Sequence, residues 1–356
     1  MSGQPLLAVD QLRVEYPVRR RGRFRAVDDV SFAVGSRETV GLVGESGSGK
    51  TSIANAVLGL APASAGTITF DGEDIVGASR DRRRRLSASL QVVFQNPYSS
   101  LNPSRTIGNT LAETLRPHGA PSKPEVNARM ASILERVGLD PAAADRYPNQ
   151  FSGGQRQRIA IARALIVAPR LVICDEPVSS LDLSVQAQVL NLLRSLQDEL
   201  GLSYLFISHD LAVVRHISTR VVVLYRGRVM EAGPAATIYD HPAHPYTRAL
   251  LQAAPVPDPG EQRERRTSRQ RTTADLPGTP KPESCQFAAR CPWAADVCRE
   301  YRPPAELTSE GVFVACHRWR EFAALPTRQS GSSDYPARRN RSRGALDSPA
   351  ADADHQ

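Results

Sequence analysis

No stretch of this chain approaches the roughly 18 consecutive apolar residues that a membrane-crossing helix needs, so the sequence predicts a protein that reaches a membrane only through a partner. Its first residues, MSGQPLLAVDQ, lack the charged head and apolar middle of a secretory signal, which predicts a cytoplasmic location. Aromatic residues are scarce at 6% and hardly interleave with the arginine clusters, so a stacking platform for nucleic-acid bases is not expected. Only five cysteines are present, and a reducing compartment excludes a disulfide framework as the source of stability. No Asn-Lys-x-Asp occurs, which removes the guanine-reading signature of a GTPase, and no internal repeat marks a solenoid.

What is there is a chain of 356 residues with 41% apolar content, enough for one large core and an appendage. The net charge of +8 is carried by local clusters rather than one stripe: Arg19, Arg20, Arg21, Arg23 and Arg25; Arg82 to Arg85; and Arg263, Arg265, Arg266, Arg269 and Arg271. These are expected to be solvated faces or membrane-proximal surface.

Segments 6 to 16 and 27 to 34 read as β, and 39 to 44 as a short buried strand ending in glycine before a helix near Lys50. Further strands are expected at 90 to 94, 171 to 174, 203 to 208 and 220 to 225. Helical spacing separates them, clearest at 124 to 139, 153 to 167 and 184 to 200, the last stopping at Gly201. Such alternation predicts an α/β fold with a mainly parallel sheet. The helix-rich stretch from about 96 to 170 interrupts the strand series as an inserted subdomain would. After 252 the composition turns to Pro, Arg, Thr and Glu, a linker; a cysteine-bearing extension follows to about 326, and 327 to 356 is expected to be disordered.

Gly44-Glu45-Ser46-Gly47-Ser48-Gly49-Lys50-Thr51, followed by Ser52, fits the phosphate-loop pattern between a strand and a helix. Its glycines free backbone N–H groups to wrap phosphate oxygens, Lys50 would reach the β and γ phosphates, and the Thr51 hydroxyl suits Mg²⁺. Leu171 to Cys174 runs directly into Asp175 and Glu176, two carboxylates at the C-terminal end of a buried strand, where ligands bind in open α/β sheets. Asp175 suits a place near Mg²⁺, and Glu176 a general base that polarises the attacking water. In Phe151-Ser152-Gly153-Gly154-Gln155-Arg156-Gln157-Arg158, a serine and two glycines open a helix, so hydroxyl, N–H groups and helix dipole can face a γ-phosphate.

That last run resembles the signature sequence of the ABC (ATP-binding cassette) proteins, and it stands upstream of the strand-end acids in the order that family uses. The resemblance implies a P-loop NTPase core with an antiparallel β subdomain, and a γ-phosphate supplied by a partner subunit. It also implies that Tyr16 stacks on adenine, Gln95 contacts Mg²⁺ and the attacking water, Asp182 belongs to the loop crossing to the partner site, and His209 touches the γ-phosphate. Taken singly, each has a plainer reading: edge-strand aromatic, surface glutamine, helix cap and hydrogen-bonded loop histidine. Phe94 to Pro103 and His241 to Leu251 are similar to segments of the dipeptide and oligopeptide importer ATPases, and Asn96-Pro97-Tyr98-Ser99 looks most like the F-type subunit. Nickel importers are close relatives, so another small solute stays open as cargo.

Cys174 reads as core. Cys285, Cys291, Cys298 and Cys316 cluster in one small segment, and four thiolates could bind zinc or a 4Fe-4S cluster, although the spacing matches neither usual pattern. Some members of the importer family carry an iron–sulfur cluster at cysteines like these, and the resemblance implies one here.

The expectation is therefore an ATP-hydrolysing motor subunit on the cytoplasmic face of the membrane. It would pair with a paralogous ATPase, dock on two transmembrane permeases and serve an extracytoplasmic solute-binding protein. The rival from another class, a soluble ABC ATPase acting on nucleic acid or the ribosome, predicts two cassettes or a long coiled-coil insertion, and neither is visible.

Overall fold

The computed structural model describes residues 4–18, 22–96, 100–119, 122–253 and 281–323. The expected linker at 254–280, the tail, Arg19 to Arg21 and Pro97 to Ser99 lie outside the described residues.

Among the described residues the strands are β1 (Leu7–Val18), β2 (Gly22–Val34), β3 (Thr39–Val43), β4 (Ala63–Phe70), β5 (Glu73–Asp74), β6 (Leu90–Val93), β7 (Leu171–Asp175), β8 (Ser203–Ser208), β9 (Arg220–Tyr225), β10 (Arg228–Pro234), β11 (Glu306–Leu307) and β12 (Phe313–Val314). They form an antiparallel sheet, β2-β1-β4-β5, and an eight-stranded sheet, β11-β12-β10-β9-β3-β8-β7-β6. In the larger sheet β9, β3, β8, β7 and β6 run parallel, whereas β10, β12 and β11 are antiparallel.

The period of two along a strand decides how the parallel strands divide their side chains. Leu171, Ile173, Leu205, Ile207, Val222 and Leu224 join Ile53 and Val57 and the antiparallel sheet in one apolar cluster. Val172, Cys174, Tyr204, Phe206, Val221 and Val223 point the other way, into a cluster with the helices between β6 and β7. Both faces being covered, β3 and β8 are buried at every residue, which is why they read as unbroken apolar runs.

The helices that matter below are α1 (Lys50–Leu58), α2 (Arg80–Ser89), α3 (Ile107–Leu115), α4 (Lys123–Arg136), α5 (Gly153–Leu165), α6 (Leu183–Leu200), α7 (Leu211–Ile217), α8 (Ala235–Asp240) and α9 (Pro245–Ala253). Only helical elements stand between β6 and β7 among the described residues, as the sequence predicts. Gly201 closes α6 in the left-handed region at φ 66°, where a Cβ would be strained.

Two features depart from the sequence reading. β4, β5 and β10 are strands that the periodicity does not announce, because small residues, Gly or Pro break the apolar alternation in β4 and β10 and β5 is only an acidic pair. The arginine run at 82 to 85 is a helix, α2, and is not simply a solvated face: Arg83 donates to the carbonyls of Val57 at 3.0 Å and Ile75 at 2.5 Å, and Arg84 to Pro117 at 3.0 Å. In keeping with a segment too short of apolar residues to fold firmly unaided, the cysteine-bearing extension docks on the core, β12 hydrogen-bonding to β10 and continuing its sheet. A segment so poor in apolar residues gains its order from that edge.

Candidate active site

The phosphate loop leaves β3 and enters α1, and its shape is dictated by close backbone packing. A Cβ at Gly44 would stand 2.2 Å from the Leu224 carbonyl oxygen, and Gly49 caps α1 at φ 103° with the Ala26 carbonyl 2.6 Å from any added Cβ. Lys50 is buried at 5% exposure, and its ammonium donates to the carbonyls of Gly44 at 2.7 Å and Glu45 at 3.0 Å. Burial lowers its pKa, while Glu176, Asp175 and Glu45 act in the opposite direction.

The strand-end acids stand opposite the loop. The Thr51 hydroxyl donates to Asp175 Oδ1 at a long 3.5 Å. Burial raises the Asp175 pKa, and the neighbouring Glu176 charge adds to the rise. Glu176 has left-handed backbone, φ 47°, with its N–H bonded to the Ile207 carbonyl at 3.0 Å. A non-glycine residue held there is strained, and such strain gathers at functional sites because surrounding structure must enforce it. Its Oε2 accepts from Gln95 Nε2 at 3.1 Å and lies 3.2 Å from His209 Nδ1. Residues 81 and 33 positions away thus meet on one carboxylate oxygen.

Glu45, Lys50, Thr51, Gln95, Glu176 and His209 line one cleft of about 700 Å³ together with Tyr16, Phe24, Ala26, Ser46, Gly47, Gly49 and Ser52, whereas Asp175 is not in its lining. Ser48 is buried beneath it with its hydroxyl unpartnered. Phe24 is absent from the sequence reading. It faces Tyr16 across the β1–β2 pair, so hairpin register was the signal that would have found it.

The signature residues Ser152, Gly153, Gly154 and Gln155 do not join this cleft. Ser152 caps α5: its hydroxyl accepts the Gln155 N–H at 3.3 Å, while the Gln155 side chain accepts the Ser152 N–H at 3.0 Å. A Cβ at Gly154 would press to 2.6 Å on Val185 of α6. Asp182 caps α6 through Val185 N–H at 3.0 Å, and that bond is the main reason its pKa is lowered. The plainer reading of Asp182 as a helix cap therefore holds in this structure.

Cys285, Cys291, Cys298 and Cys316 come together around a pocket of about 20 Å³, shared with His244, Phe287, Trp293 and Arg318. Burial, with mutual repulsion behind it, pushes Cys291 up to about 11 and Cys316 to about 12. Among the described residues no group of three or more His, Cys, Asp or Glu side chains is arranged to hold a metal ion, so the expected cluster site has its donors assembled but not in ligating geometry. Phe287 and Trp293 share the lining of that pocket with the thiols.

The comparisons with known proteins converge on one family. Residues 27–179 match the ABC transporter family and residues 230–298 the oligopeptide/dipeptide transporter C-terminal region. The oligopeptide transport ATP-binding protein OppF of Escherichia coli is 46% identical over 311 residues, covering 85% of this chain and 92% of that protein. Its Salmonella typhimurium counterpart is 45% identical with the same coverage. Among solved structures, cbiO1 from Clostridium perfringens, part of an ABC transporter complex, superposes with a TM-score of 0.60 at 27% identity over 67% of this chain and 91% of that one. A dimeric ATP-binding cassette in a post-hydrolysis state with ADP and Pi gives 0.58 at 28% identity, covering 64% and 98%. With a phosphate loop, strand-end acids and signature helix in one α/β frame, and relatives of this identity along most of its length, the chain belongs to the ABC transporter ATPases, in the oligopeptide/dipeptide branch.

Proposed function

We propose that this chain is the ATP-hydrolysing motor of an importer of dipeptides or oligopeptides, seated peripherally on the cytoplasmic face of the membrane. The observation that carries the ATPase reading is the convergence of Gln95 and His209 on Glu176 Oε2, opposite the loop that holds Lys50. Glu176 is then the base that takes a proton from the attacking water, and Gln95 and His209 orient it. Lys50 exchanges its loop carbonyls for β- and γ-phosphate oxygens. The peptide cargo rests on the relatives named for oligopeptide transport; nickel or another small solute is the rival cargo.

Thr51 and Asp175 carry hard oxygen donors 3.5 Å apart, which suits Mg²⁺, and these residues with Gln95 would hold that ion beside the phosphates. The ion would draw charge off the phosphates. Tyr16 would stack on adenine, with Phe24 beside it.

Ser152, Gly153 and Gly154 are not among the residues lining the chain's own cleft, and this supports a head-to-tail pair in which they face the triphosphate of a second, paralogous ATPase. Asp182 would approach that same site. Two transmembrane permeases and an extracytoplasmic solute-binding protein complete the assembly. Among the described residues no helix is long and apolar enough to cross a membrane, which is in keeping with a need for such partners.

The four thiols would hold a 4Fe-4S cluster, with zinc as the alternative, since soft donors around an apolar pocket suit either. Such a group would staple the extension to the sheet. Iron and acid-labile sulfide contents near four per chain would support it, and their absence from anaerobically purified protein would end it.

The direct test of the motor reading is Glu176→Gln in the purified complex. ATP binding should persist while turnover collapses; undiminished turnover would refute the role of Glu176.

A further inference from the structure

Glu45 is the one carboxylate within the phosphate loop, and it lines the cleft in which a triphosphate must lie. A like charge there would repel the phosphates unless it were neutralised or turned aside. The structure supplies a counter-ion from far along the chain: Arg290 Nη1 stands 2.8 Å from Glu45 Oε2, across 245 positions of sequence. The same nitrogen lies 3.4 Å from the Tyr225 hydroxyl, and the guanidinium is 5.8 Å and 5.9 Å from the ring centres of Tyr225 and Phe287.

The arginine is itself anchored. Tyr225, Tyr246 and Phe287 form a closed ring cluster with centres 4.7, 5.4 and 5.3 Å apart. Tyr246, on α9, accepts the Glu45 N–H at 3.1 Å, while the Glu45 carbonyl receives Lys50 at 3.0 Å and the Ser48 N–H at 3.1 Å. Phe287 and Arg290 lie between Cys285 and Cys291, so the thiol pocket and the loop's counter-ion belong to one short segment.

We propose that Arg290 is a positioning residue for ATP: it neutralises Glu45 and holds that carboxylate away from the phosphates, making the cysteine-bearing extension a working part of the nucleotide cleft. This rests on residues 44 to 51 being the phosphate loop. The neighbourhood of Glu45 and Tyr225 holds the guanidinium firmly charged, raising its pKa above the ordinary arginine value.

The test measures equilibrium binding of a fluorescent ATP analogue with Mg²⁺ to the full-length chain, and KM and kcat of the assembled transporter. Arg290→Ala should weaken nucleotide binding about fivefold at low salt and raise KM by a similar factor with little change in kcat, because a half-exposed ion pair has effects of this order. The deficit should shrink as salt screens the freed carboxylate. Adding Glu45→Gln to Arg290→Ala should restore affinity, and Arg290→Lys should keep most of it. A structural role alone would not be rescued by removing a carboxylate in a different segment. Unchanged affinity in Arg290→Ala, or a double variant no better than the single one, would overturn the proposal. If the alanine variant does not fold, the pair Arg290→Gln and Arg290→Gln with Glu45→Gln carries the same comparison. Full affinity in Lys50→Ala would instead overturn the loop assignment on which the proposal stands.

Discussion

The cleft proposed to hold the triphosphate and the helix tip proposed to face a partner's nucleotide are treated differently by the fold. In the cleft, side chains at or just past the C-terminal ends of β6, β7 and β8 and at the start of α1 bind one another: Gln95 and His209 to Glu176, Thr51 to Asp175, Lys50 to the loop before it. At the tip, the side chains of Ser152 and Gln155 bond each other's backbone N–H groups, in a capping box at the start of α5. The contrast teaches that one half-site is organised by the chain's own tertiary structure. The other is a locally finished helix end, whose hydroxyl and N–H groups stay close to solvent and can be redirected to an anion.

Four substitutions would break or sharpen this contrast. The largest effect is expected from Lys50→Ala, which should weaken ATP binding to the isolated chain about a hundredfold, since charge-assisted bonds to phosphate are the strongest the cleft makes; titration calorimetry measures it. Glu176→Gln should slow turnover by roughly 10² to 10⁴ in the assembled complex with binding intact, the usual span for a lost general base. Steady-state and single-turnover rates would separate the two.

Ser152→Ala should leave nucleotide binding to the isolated chain unchanged and reduce turnover of the complex about tenfold, with loss of a cap worth ~1 kcal/mol of stability. A loss of binding in the isolated chain would erase the distinction between the two ends.

The smallest effect concerns neither end but the shelf behind the loop. Glu231 is fully buried, accepts the N–H groups of Ala243 and His244 at 2.7 and 3.1 Å, and burial pushes its pKa up to about 7. A carboxyl whose folded pKa exceeds its unfolded value stabilises most below the unfolded value, and that contribution is lost as pH rises through about 7. Glu231→Gln should therefore flatten the fall in melting temperature between about pH 4.5 and 7 by a few degrees. A melting profile of unchanged slope would remove Glu231 from the account.

Much of the cleft was legible in the sequence because its parts are local. A phosphate loop is a run of eight residues, the acids follow a buried apolar strand, and Gly201 and Ser152 mark helix ends through hydrogen bonds spanning three or four positions. Tyr16, Gln95, Asp182 and His209 could be placed only by resemblance, since nothing in their immediate neighbours distinguishes them. Phe24, Tyr246 and Arg290 were not found at all. Phe24 depends on strand register, and the other two act on Glu45 across 201 and 245 positions. The four cysteines were grouped correctly by sequence, but their spacing could not show that Phe287 and Trp293 would share their pocket.

By itself, then, the sequence determined the elements and the chemistry each could carry, because periodicity, glycine conformations and caps are set by interactions within a turn or two. Only the tertiary structure decided which of those groups meet. Sheet order brought Gln95, Glu176 and His209 to one oxygen, and docking of the extension on β10 brought Arg290 to the phosphate loop. Those meetings depend on how apolar faces stack over the whole sheet, a long-range outcome that no short window of residues encodes.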